Sequence, residues 1–218
     1  MTATLDLPRT PLARQAFDLA AAAEEPYLFN HGIRCYLFGR ELARARGALP
    51  GEHYDDELVF LVCVLHDIGL TERAPSALRF EVAGADLAAR LLEDNGITDH
   101  RVDVVWDAIA LHTTAHVHES PVFRRRRVVE IGIAQAGIGF DLGGGAATLP
   151  PGYTELVHRR YPRLGGGRAL TEAILAQALA EPGKAPPMTL AGEVLHQKHP
   201  ALPYRTWADM VDANRWGD

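Results

Sequence analysis

Eight consecutive apolar residues, Leu58 to Leu65, run straight into His66-Asp67. A helix that is apolar all round has no face to give to water, so it belongs at the centre of a fold. Asp55, Asp56 and Glu57 precede it and suit the positive end of its dipole, while Gly69 stops it. The run is far too short to span a membrane, which takes about 20 apolar residues. Around it the chain shows helical periodicity broken by Pro and Gly, and almost no strand-like alternation. Thr10-Pro11 opens a first helix that reaches about Glu24. Further helices are predicted from Pro26 to Gly47, Asp55 to Gly69, Phe80 to Asn95, Thr98 to Ala115 and Val122 to Phe140. Gly143-Gly144-Gly145 closes the last of these, and Leu70 to Leu78 and His116 to Pro121 are loops. Tyr153 to Tyr161, Gly167 to Ala180 and Met188 to His199 continue the pattern, with a short terminal helix within Tyr204 to Asp218. The expected fold is all-α, a single domain over 1–218 with irregularly crossing helices. Its core covers about 26–145 and a helical extension about 150–218.

Composition narrows the function. The 218 residues are 47% hydrophobic and 23% charged, ordinary values for a globular protein. A formal charge of −6 argues against nucleic acid as a partner, because that binding runs on phosphate neutralisation. Ten histidines stand against two cysteines, Cys35 and Cys63, which lie inside apolar helical segments and form no C-x-x-C pair. A thiolate zinc site and a disulfide framework are therefore not expected. Met1 to Arg9 carries no basic segment followed by an apolar one, so no signal peptide and a cytoplasmic location are expected.

The polar residues that interrupt apolar faces carry the chemistry. His31 lies in Phe29-Asn30-His31-Gly32-Ile33-Arg34, and His66-Asp67 ends the most hydrophobic helix. His112 closes Ala108-Ile109-Ala110-Leu111-His112, and Asp141 ends Ile138-Gly139-Phe140-Asp141. A charged Asp after an apolar run is costly unless it is paired or bound to a metal. Four segments on four helices supply imidazoles and carboxylates, which is how a helical core builds a metal site. Adjacent helical residues point about 100° apart, so His66 and Asp67 converge only over a helix end. Mixed nitrogen and oxygen donors suit Zn²⁺, Fe²⁺ or Mn²⁺.

His31, His66, Asp67 and Asp141, in that order, resemble the signature of the HD-domain superfamily of metal-dependent enzymes over about Asn30 to Gly145. Asn30-His31-x-x-Arg34, Leu65-His66-Asp67-Ile68-Gly69, Arg79-Phe80-Glu81-Val82-x-Gly84-Ala85, Ala110-Leu111-His112-Thr113 and Phe140-Asp141-Leu142-Gly143 are similar to the cyanamide hydratase branch. The resemblance implies one divalent metal, in first place Zn²⁺, and hydration of cyanamide to urea. Two positions depart from that branch. Gly32 stands where Ser is usual, and Ala83 where Asp is frequent before Gly84. The adjacent His-His pair that the phosphohydrolase branches use for a second metal is missing, and His112, His116 and His118 are more widely spaced.

The expected roles follow. His31, His66, Asp67 and Asp141 bind the metal; Glu81 or Asp67 moves a proton; His112 and Thr113 orient the substrate; Arg34, one turn from His31, fixes a carboxylate. Tyr27, Phe29, Phe80 and Trp106 are expected to wall a small pocket. Arg124 to Arg127 reads as a solvated face, and His53, His100, His158, His196 and His199 as surface residues. The expected partner is a small-molecule substrate; a homo-oligomer is left open. The alternative reading is a metal-dependent phosphohydrolase acting on a nucleotide or other phosphate ester. A two-iron oxygenase and an inactive binding module stand behind it.

Overall fold

The computed structural model describes residues 5–144, 149–214 and 216. Every regular element among them is helical, and the one β-bridge is the isolated pair Pro50 and Tyr54. In chain order the α-helices are α1 (Pro11–Ala23), α2 (Pro26–Ala45), α3 (Asp56–Leu65), α4 (Phe80–Asp94), α5 (His100–Ala110), α6 (Pro121–Arg126), α7 (Val129–Gly143), α8 (Tyr153–Arg160), α9 (Gly167–Ala180), α10 (Leu190–Lys198) and α11 (Trp207–Asp212). Gly145, Arg215 and the last two residues, parts of the predicted glycine stop and terminal helix, lie outside the described residues.

Helix α3 sits where its composition requires. All eight residues from Leu58 to Leu65 are buried, and α1, α2, α5 and α7 surround it. Its N-cap is Asp55, whose carboxylate accepts from the Glu57 and Leu58 amides. The most extensive packing is between α2 and α7. These backbones meet so closely that a Cβ on Gly137 would lie 2.0 Å from the Cys35 carbonyl oxygen. That crossing brings the end of α7 beside the first half of α2. Gly137→Ala is expected to cost about 3 kcal/mol, the upper range for overpacking, because helix backbone must move. Denaturant unfolding measures it, and an unchanged midpoint would show that α2 and α7 can separate freely.

Three predicted helices end earlier than their apolar pattern suggests. The third leaves α-geometry at Leu65 and, after a turn, continues as a 3₁₀ segment, Ile68–Leu70. Gly69 explains the change: a Cβ there would lie 1.9 Å from the Phe80 carbonyl oxygen, so the chain passes tightly under the start of α4. The fifth stops at Ala110, leaving Leu111 to Thr113 in a turn. The predicted helix from Val122 to Phe140 is two helices, because Arg127 and Val128 are extended. Arg127, still exposed, pairs with Asp107 at 3.0 Å and packs over the Phe123 ring.

The C-terminal third does not stand apart from the core. Tyr153, Val157 and Tyr161 belong to the main buried cluster. Ile174, Ala178, Ala185 and Ala191 form a second cluster around Phe80. No described helix is long and apolar enough to cross a membrane.

Candidate metal centre

Four of the predicted residues meet around one carboxylate. His66 is the C-cap of α3 and Asp67 the next residue, so the site lies over a helix end, as the adjacency of the two requires. Asp67 is buried. His66 Nε2 lies 3.2 Å from its Oδ2, His31 Nε2 3.8 Å from Oδ2, and His112 Nε2 3.6 Å from Oδ1. Each ring has its other nitrogen engaged. His66 Nδ1 donates to the Cys63 carbonyl at 2.8 Å, and His112 Nδ1 to the Ile109 carbonyl at 2.6 Å. His31 Nδ1 meets Asp141 Oδ2 at 2.7 Å. A carbonyl or carboxylate only accepts, so the proton stays on Nδ1 and each Nε2 is free to act as a ligand.

The donor set fits a divalent cation. Asp67 Oδ2 is buried with no hydrogen-bond partner among the described residues, an expensive state for a carboxylate oxygen. Ligand atoms of His66, Asp67 and His112 lie within 4.8 Å of one another, as do those of His31, Cys35 and His66. Burial alone would raise the Asp67 carboxyl, but the His66 charge and the His112 side chain hold it well below the usual carboxylate range. Burial works against a charged His66, yet neighbouring Asp67 draws a proton to it. A cation would replace that proton, which makes its binding pH-dependent.

Asp141 is placed differently from the other three residues of the sequence pattern. Arg34 is fully buried and grips both oxygens, Nε to Oδ1 at 2.7 Å and Nη2 to Oδ2 at 2.8 Å. The fork also donates Nη1 to the Tyr161 and Pro162 carbonyls, at 3.2 and 3.1 Å. Arg163 adds a contact to the Asp141 carbonyl at 2.8 Å. Burial would raise the Asp141 carboxyl, but Arg34 and then His31 depress it far below its ordinary value. Asp141 thus stands behind His31 and belongs to neither three-donor cluster. Arg34 fixes a carboxylate, the role that its one-turn spacing from His31 predicts.

Glu81 is fully buried and braces the site. Its Oε1 accepts from the Thr113 hydroxyl and pairs with Arg79 Nη1 at 3.2 Å, while Arg79 Nη2 donates to the Ala110 carbonyl at 3.0 Å. This ties the start of α4 to the turn that carries His112. Of the aromatic residues, Phe80 packs edge-on to His112, with ring centroids 5.7 Å apart. Trp106 instead donates to Asp86 at 2.8 Å, and Phe29 packs on Phe17, so neither faces the cluster as a wall. Gly32 has a steric reason: a Cβ there would lie 2.9 Å from the Cys63 carbonyl oxygen.

Several contributors carry no local sequence signal. Glu24, the C-cap of α1, is buried with Oε2 unpartnered, and burial and Asp67 raise its carboxyl well above the ordinary value. His158 is half-buried, with its ring against Phe38 and its Nε2 4.0 Å from Asp141, rather than on the surface. His196 is stacked on Tyr204, whereas His53 and His100 are exposed as expected.

An all-helical core that gathers imidazoles and an Asp at the end of its central helix is the build of the metal-dependent enzymes of the HD type. The chain belongs to the HD domain family, whose sequence model matches residues 28–181. The match runs beyond residue 145, to include the carbonyls of Tyr161 and Pro162 that hold Arg34. HD domains bind divalent metals, and the His, Asp and Cys donors here suit one. Two curated relatives are similar over a shorter stretch. Cyanamide hydratase DDI2 and cyanamide hydratase DDI3, both of Saccharomyces cerevisiae, are each 29% identical over 108 residues, 48% of this chain and 47% of theirs. The chain spans about half the length of these relatives.

Proposed function

We propose that this protein is a metal-dependent hydratase that adds water to a small nitrile-type substrate, converting cyanamide to urea. Asp67 carries the reading, because a buried carboxylate ringed by three imidazole Nε2 atoms, with one oxygen unpartnered, is a site waiting for a cation. The likeness to two cyanamide hydratases supports the choice of reaction. His31, His66 and Asp67 would hold the ion, with Asp141 as the fourth residue of the family pattern. A divalent cation lowers the pKa of a water it binds from about 15.7 to about 7 and so supplies hydroxide at neutral pH. The other residues position and move protons. His112, held by the Ile109 carbonyl and the Phe80 ring, faces Asp67 from the turn after α5 and orients the substrate. Asp67 is placed to pass a proton between water and the substrate nitrogen. Glu81, with Arg79 and Thr113, keeps that turn in position.

A phosphohydrolase is the second reading, favoured by a cleft that shares His112 and Thr113 and carries Arg124 and Arg127 on its wall. One experiment separates the two. Urea release from cyanamide is measured beside phosphate release from a nucleotide panel, with metal counted per chain. The expected result is urea, no phosphate and one metal; His112→Ala keeps the metal and loses turnover. Phosphate alone, or two metals, would overturn the reading. Metal loss in His112→Ala would make His112 a ligand and leave Asp141 as the residue that orients His31.

A further inference from the structure

Beside the metal cluster lies a cleft of about 770 Å³, between the later part of α2, the turn after α5, α6 and the start of α7. That volume falls within the range of about 300–1,000 Å³ typical of small-molecule sites. Cyanamide, a molecule of a few atoms, would leave it almost empty. The four-arginine run explains its character. Arg124 on α6 and Arg127, the extended residue that follows it, line the cleft, while Arg125 and Arg126 do not.

Arg46, the exposed C-cap of α2, faces the same space, and its side chain has no ion-pair or hydrogen-bond partner among the described residues. Arg124 spends Nε on the His118 carbonyl at 2.9 Å, and Arg127 spends Nη2 on Asp107. Against these three cations the lining carries one carboxylate, Glu119, which is exposed and paired with His116 at 3.0 Å. His118 also lines the cleft, and its Nδ1 is buried without a partner. The helix dipole favours cations in the last turn of α6, but it does not account for Arg127, outside that helix, facing the same cavity. The floor is apolar or small: Ile133, Ala136 and Gly132, where an added Cβ would meet nothing within 4 Å. Val128 and Val129 are exposed beside it, at 38% and 49%.

We propose that this cleft binds a small organic oxyanion, a phosphate or carboxylate on a short apolar body. The anionic group meets Arg46 and Arg124, and the body lies on the floor of α7. The site adjoins the metal cluster through His112 and Thr113 but does not depend on the reaction run there.

Binding is tested by calorimetry on the full chain, with hexyl phosphate, hexanoate and inorganic phosphate as probes. Saturable binding of at least one of the first two is expected, tighter than inorganic phosphate; whichever binds better identifies the headgroup. Arg46→Ala/Arg124→Ala weakens that binding by about tenfold or more, the scale of one charged hydrogen bond. Arg125→Ala/Arg126→Ala, with the same charge change on the outer side, leaves it unchanged. Equal weakening by both pairs, or no saturable binding of any probe, would overturn the proposal. Thermal melts of both pairs confirm that the fold is retained. Because the readout is binding, a failure to hydrate cyanamide leaves this result standing.

Discussion

Asp67→Asn is expected to abolish stoichiometric binding of a divalent metal and to cut turnover by more than about 100-fold, beyond what loss of an outer partner costs a metal site. The substitution keeps the side-chain volume and removes only the charge. Among the described residues Asp67 is the one carboxylate that all three Nε2 atoms face, at 3.2 to 3.8 Å. Without it, His66 loses the group that draws a proton to its ring, and burial returns it to the neutral form. Three neutral imidazoles remain, and the nearby Asp141 carboxylate is already paired with Arg34, which leaves little charge to balance a dication in a dry site. The two measurements are metal per chain after dialysis and urea released per minute. A variant that keeps one metal per chain would remove Asp67 from the ligand set. The metal-free melting temperature should hardly move, because the substitution also relieves a buried oxygen that has no partner. A collapse of the fold would instead mark Asp67 as a structural ion-pair residue.

The central helix and the His66-Asp67 pair at its end were legible because both break a strong rule. Eight apolar residues have only one place in a fold, and a carboxylate directly after them needs a partner. The all-α class followed from periodicity in the same way. The stop at Leu65 was not legible, since it depends on Gly69 passing beneath α4, a contact far away in sequence. The break between α6 and α7 also had no local signal, because it falls at Arg127 and Val128, with neither Pro nor Gly to mark it. Arg34 was visible as a neighbour of His31 at one helical turn. Its fork onto Asp141 was not, because the α2–α7 crossing that makes it is set by the close approach at Gly137. Glu24 reads in the sequence as a helix end, since nothing in a short alanine-rich helix announces that its C-cap carboxyl is buried near Asp67.

Arg34→Met is expected to lower the melting temperature by about 10 °C, from the roughly 3–5 kcal/mol that breaking one side of a buried ion pair costs. Asp141 would be left buried without its cationic partner, with His31 still on Oδ2, and the Tyr161 carbonyl would lose its Arg34 donor. The pH dependence of the loss distinguishes this pair from ordinary packing. Folding depresses the Asp141 carboxyl, with Arg34 and His31 outweighing burial. Such a group binds its proton more readily in the unfolded chain, whose carboxyl titrates near pH 3.9. Its contribution is therefore complete above about pH 5 and fades as the pH falls towards the folded-state value. The gap between the parent protein and Arg34→Met should be widest at neutral pH and narrow on acidification; a gap constant down to pH 3 would show that only side-chain volume was lost. Arg34→Lys keeps the charge but cannot form the two-pronged contact, so it falls between the two. Metal affinity supplies the second readout. The carboxylate that fixes the His31 ring is no longer fixed itself, and affinity should drop about 10- to 100-fold even where the variant is fully folded.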